Sequence, residues 1–65
     1  MAGVRPIRAQ IRQWLRDRIA ADGFSATARS LGLADATLAR AVGALDVQHG
    51  TEAVLEVAFS RRAAA

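Results

Sequence analysis

The nine strongly basic side chains of this chain are all arginine, so its capacity for ionic chemistry lies in planar guanidinium groups. Each presents five donors in a rigid fork that matches phosphate oxygens or the O6/N7 edge of guanine. Arg40 stands among small neighbours, Ala36, Thr37, Ala39 and Gly43, where a long side chain reaches furthest. Arg5, Arg8, Arg12 and Arg16 recur at spacings of three and four, which places them on one side of a helix. Other chemistry has little support. His49 is the only histidine, with no nearby Ser or Cys nucleophile and orienting acid, so it reads as a solvated or capping side chain. Glu52 and Glu56 have the spacing of a metal pair but lack a second set of ligands. No cysteine is present, which excludes disulfides and thiolate metal sites, and no glycine-rich phosphate loop occurs. We expect no catalytic residue, no metal and no cofactor.

The elements that must carry these arginines centre on Phe24 to Val42, FSATARSLGLADATLARAV. Its spacing predicts two short helices joined by a tight turn. Ala28 is small where two steeply crossed helices touch. Gly32 can take the left-handed conformation that stops a helix within one residue. Leu38, Ala41, Val42 and Leu45 then give the second helix its buried face. This is helix-turn-helix grammar, in which the second helix lies in the DNA major groove.

Around that stretch the chain divides into an arm (residues 1–5), a helical domain (6–60) and a tail (61–65). Pro6 suits the first turn of a helix reaching to about Asp22, with Ile7, Ile11, Trp14, Leu15 and Ile19 on one arc. Trp14 is read as a core or interface anchor, and Arg18, inside the apolar arc, either snorkels or pairs with Asp22 one turn on. Gly23 closes this helix as a left-handed cap, and Ser25 caps the next, about residues 26–31. Asp35 or the loop before it starts a helix running to about Leu45. Asp46 to Gly50 reads as a loop. Thr51 caps a last helix, with Glu52 in its first turn and Arg61 and Arg62 at its end. Val54, Leu55 and Ala58 fill the core from that helix. No strand pattern is evident, so the expected fold is all-α, a compact four-helix domain.

A chain of 65 residues supports one domain, and burial of about 60% of its unfolded surface leaves stability marginal without a partner. No apolar run approaches a membrane span, and the N-terminus lacks the hydrophobic core of a signal peptide. The expectation is a cytoplasmic protein with no membrane partner. A net charge of +3 inclines it towards polyanions.

ARSLGLADATLARAV followed by VQHGTEAVLEVAF resembles the Cro/CI (lambda-repressor-like) helix-turn-helix group. The likeness rests on the Ala28 to Gly32 step, the Thr-Leu-x-Arg run at Thr37 to Arg40, and the Val-x-x-Gly-Thr lead-in at Val47 to Thr51. It covers about Ile7 to Phe59. Thr27 stands where the family usually has leucine, Ala34 where it has a Ser or Thr cap, and a fifth helix is missing. The resemblance implies a small transcriptional regulator acting by operator occupancy on double-stranded DNA. It also implies that the first helix lies behind the reading head, so that Arg5 and Arg8 are better placed for phosphates than Arg12 or Arg16.

With Leu38 and Val42 buried, the outward face of the second helix carries Asp35, Ala36, Thr37, Ala39 and Arg40 as candidate base contacts. Arg40 can make a bidentate guanine contact; Thr37 can reach a phosphate or a base edge, and Ala36 or Ala39 a thymine methyl. Ser25, Thr27 and Arg29 join Arg5 and Arg8 as candidate phosphate contacts. The last helix is apolar over more than half its circumference, which leaves Val57 and Phe59 for a homodimer on half-sites about one DNA turn apart. The alternative is a helical protein-interaction or self-assembly module that keeps the fold and uses the smooth Ala36–Ala39–Gly43 strip against a protein partner.

Overall fold

The elements follow in the order β1 (Val4–Arg5), α1 (Ala9–Asp22), α2 (Phe24–Leu31), α3 (Asp35–Val42), β2 (Val47–Gln48) and α4 (His49–Ala64). The computed structural model describes the backbone of residues 4–64 and the side chains of residues 6–62. Among the described residues the chain is mostly helical, with four helices and almost no strand, folded to a radius of gyration of 11.0 Å. Ile7, Ile11, Leu15, Ala28, Leu38, Ala41, Val47 and Leu55 form one buried cluster to which every helix contributes.

Expected and observed elements differ mainly at their ends. The first helix begins at Ala9 rather than Pro6, because Arg8 is extended (φ −61°, ψ 147°). A residue before proline is driven towards extended backbone, and Arg5 accordingly sits in β1, antiparallel to Val47 of β2. This two-residue ladder replaces part of the expected 46–50 loop. It delivers Ile7 and Val47 to the core, where they are 2% and 4% exposed. Met1 to Gly3, the rest of the expected arm, lie outside the described residues.

Gly23 separates α1 from α2 as a single residue at φ 94°, ψ 155°. That is an extended conformation with positive φ, all but confined to glycine, rather than the expected left-handed cap. Its N–H donates to Ile19 O at 2.8 Å. A Cβ there would meet nothing within 4 Å, so the constraint lies in the backbone alone. With Gly23 as its cap, α2 begins at Phe24, and Ser25 falls inside the helix instead of before it.

α3 ends at Val42, earlier than Leu45, because Ala44 turns left-handed (φ 61°). Leu45 is thereby carried away from the core and is 51% exposed. At the other end of the chain α4 already starts at His49, so Thr51 lies within it rather than capping it. Val54, expected in the core, faces out, whereas Leu55 is fully buried. The same helix continues through Arg61 and Arg62 to Ala64, so residues 61–64 belong to α4 rather than to a tail. No described helix is long and apolar enough to cross a membrane.

Candidate functional site

α2 and α3 are joined through Gly32, Leu33 and Ala34, and Gly32 is left-handed (φ 71°, ψ 27°). The N–H of Leu33 donates to Ala28 O at 2.9 Å and that of Gly32 to Arg29 O at 3.1 Å, the paired bonds of a Schellman ending. Phe24, Thr27, Ala28 and Leu31 take the spacing of one helix face. Thr27 and Ala28 are buried and the other two half-buried. Thr27 is thus a core residue and not a phosphate contact: it is fully buried, and its hydroxyl donates to Gly23 O at 2.8 Å. The hydroxyl is accommodated because that carbonyl lies one turn back.

Ser25 and Asp35 are bonded to each other, Ser25 Oγ donating to Asp35 Oδ2 at 3.1 Å. Neither caps its helix: α2 and α3 start with no side-chain capping bond. The pair instead ties the first turns of the two helices together. The Asp35 carboxylate sits in the first turn of α3, where the helix dipole favours a negative charge. Arg29, in the last turn of α2, is exposed and has no carboxylate partner among the described residues.

α3 buries Leu38 and Ala41 completely. Asp35, Ala36, Ala39 and Arg40 are exposed, and Thr37 is half-buried. The Arg40 guanidinium folds back over the end of its own helix, Nε and Nη2 donating to Asp46 O at 3.2 and 2.9 Å. Its backbone carbonyl accepts from Leu45 N at 3.0 Å. Backbone and side chain of Arg40 are therefore both fastened to the 43–46 turn. Two donors on Nη1 and one on Nη2 remain, and they lie along the end of the fork that pairs with a planar acceptor edge.

Arg8, Arg12 and Arg16 are turned onto the chain itself. Arg8 grips Glu56 of α4 with Nε and Nη2, both at 2.9 Å. The hydrogen bonding to Glu56 holds the Arg8 guanidinium above the ordinary arginine pKa, against a smaller opposing effect of burial. Arg12 donates to Ile7 O at 2.9 Å and Arg16 to Val42 O at 3.3 Å, in the last turn of α3. Arg18 reaches Asp22 at 3.5 Å, as its spacing suggests, and also donates to Ser30 Oγ at 3.0 Å. Of the two α1-side candidates for phosphate, Arg8 is thus already neutralised, and the Arg5 side chain lies outside the described residues.

A second surface runs between α1, α2 and α4. It is an open groove of about 670 Å³ floored by Trp14, Leu31, Val54 and Val57, with Arg18, Arg61 and Arg62 among its lining residues. Val57 is 51% exposed. Phe59 is half-buried, meets the Trp14 ring edge-on at 5.6 Å between centroids, and is covered by Arg62 at 3.8 Å. Of the two expected dimer residues Val57 is thus the more exposed. His49 contacts Glu52 through Nδ1 at 3.6 Å. No family model matches the chain, and no curated protein or solved structure does either.

Proposed function

We propose that the chain is a small sequence-specific DNA-binding regulator of the helix-turn-helix type, with α3 as the recognition helix and double-stranded DNA as its partner. The observation that carries this reading is the left-handed break at Gly32 between two short helices. It sets α3 with Leu38 and Ala41 inward and Ala36, Ala39 and Arg40 outward. Small side chains let a helix backbone approach a groove floor closely. One guanidinium in their midst supplies direct readout, worth about 1–3 kcal/mol of discrimination for a bidentate guanine pair. The Asp46 carbonyl occupies one edge of the Arg40 fork, which orients the other edge and lowers the entropy lost on contact. Affinity comes from the backbone of the duplex, through Arg29, with Arg5 on the N-terminal strand; the Ser25 hydroxyl, already donating to Asp35, drops out of that set.

A single α3 offers a narrow footprint, and two copies on neighbouring half-sites are the general remedy. The mode of action is occupancy of an operator, placed in the cytoplasm. A second reading, a protein-interaction module using the Ala36–Ala39–Gly43 strip, is favoured by one observation: Arg40 already bonds within its own chain.

Selection of binding sites from random duplexes, followed by Arg40→Ala on the selected site, separates the two. The DNA reading expects a defined consensus, with preference at one guanine lost in the variant. Failure to enrich any sequence, together with weak and salt-insensitive binding, would leave only the protein module.

A further inference from the structure

We propose that the groove between α1, α2 and α4 is a docking site for an acidic amphipathic helix of a different protein, separate from the α3 surface. None of its lining residues belongs to α3. Val54 and Val57 are 44% and 51% exposed on its floor, beside a half-buried Trp14. Apolar side chains at helical spacing beside an aromatic wall are what an amphipathic helix buries when it lies in a groove.

Charge decides which helix. Arg18, Arg61 and Arg62 line the groove, and among the described residues no carboxylate does. Asp22 offsets Arg18, but Arg61 and Arg62 have no carboxylate partner among the described residues. Arg62 is stacked on Phe59 at 3.8 Å, which fixes its guanidinium on one face and leaves its edge for an acceptor. A second copy presenting the same groove would set arginines against arginines with no countercharge. Nucleic acid would satisfy the arginines but would bring nothing apolar to the valines. A helix with an apolar stripe flanked by Asp or Glu satisfies both, and rim charges of opposite sign steer its approach and select it over neutral competitors.

A displayed library of helical peptides tests this. One apolar face is held constant and the flanking positions are randomised over Glu, Gln and Lys. Binders are selected on the wild-type chain and counted against Val57→Asp. The expected winners carry Glu at the flanks and lose binding to Val57→Asp, while circular dichroism shows the variant still folded. A synthetic winner should shift the emission of Trp14, the only tryptophan, saturably. Its affinity should fall about ten-fold when the flanking Glu are changed to Lys, or when Arg61→Gln and Arg62→Gln are combined.

Flanks that enrich neutral or basic residues, or the absence of any Val57-dependent binder, overturn the proposal. So does a dimer of the chain alone that Val57→Asp dissociates in sedimentation equilibrium, since the occupant would then be a second copy. Duplex DNA that competes with the selected peptide for the groove would overturn it in favour of nucleic acid.

Discussion

The outward face of α3 and the groove beside α4 are both open to solvent, yet they differ in what they leave unsatisfied. α3 hides Leu38 at 0% exposure, leaves Val42 half-buried, and otherwise shows water alanines, a threonine, an aspartate and Arg40. Such a face has little apolar area to lose and gains from a hydrated, highly charged partner. α4 keeps Leu55 inside but leaves Val54 and Val57 about half in water. Covering each would contribute about 1 kcal/mol by area, which a phosphate backbone cannot supply. Two helices of one small core thus suit the two different partners we propose, and the difference lies in which residues point away from the shared cluster.

The sharpest way to break that contrast is through the core itself. Leu38→Ala removes a fully buried side chain and should cost about 3 kcal/mol, most of what a domain this small possesses. Val57→Ala, on the open face of α4, should stay within about 0.5 kcal/mol. Urea titrations followed by circular dichroism compare the two directly. Equal losses would mean that the valine is covered, by a second copy or by rearrangement of α4, and the contrast between the faces would disappear.

How far these faces could be read in advance depends on the distance over which the determining forces act. The burial of Ile11, Leu15, Leu38, Ala41 and Leu55 follows from spacing within single helices, and the bend at Gly32 follows from its missing Cβ; both were legible. The inward side of Thr27 was legible too, because Phe24, Thr27, Ala28 and Leu31 share one face, though its polar type suggested a surface contact. Pairing of β1 with β2 was not, since two residues are too short to show alternation and the partners lie far apart in the chain. The Arg8–Glu56 pair joins residues 48 apart, which no local pattern reveals. Ala44 carries no mark of its left-handed backbone. The outward positions of Ala36, Ala39 and Arg40 could be read, but not the return of the Arg40 side chain to Asp46, which exists only because that turn closes.

α3 is bracketed by left-handed residues, Gly32 before it and Ala44 after it, whereas the α4 floor of the groove depends on neither. Gly32→Ala should cost about 1–2 kcal/mol, the penalty of a side chain in that conformation. A Cβ there meets nothing within 4 Å, so no clash adds to it. Ala44→Gly should do the reverse and stabilise by roughly 0.5 kcal/mol, the relief of strain exceeding the entropy glycine gains when unfolded. Thermal melts of both variants check the signs. A loss at Ala44→Gly would mean that the turn holding Arg40 is not strained, and that its alanine contributes through contacts instead.

The smallest expected effect separates free arginines from spent ones on the side that our proposal turns towards DNA. If Arg29 meets a phosphate, Arg29→Ala should make the dependence of log affinity on log salt shallower by about 0.9, since one fewer counterion is released. Arg8→Ala should leave that slope unchanged, because Glu56 already accepts two bonds from its guanidinium and no counterion is freed when DNA arrives. Fluorescence anisotropy on one duplex across a salt series gives both slopes. A slope that falls for Arg8→Ala would mean that DNA displaces Glu56. The start of α1 would then belong to the DNA surface, and the division of labour between α3 and the groove would have to be redrawn.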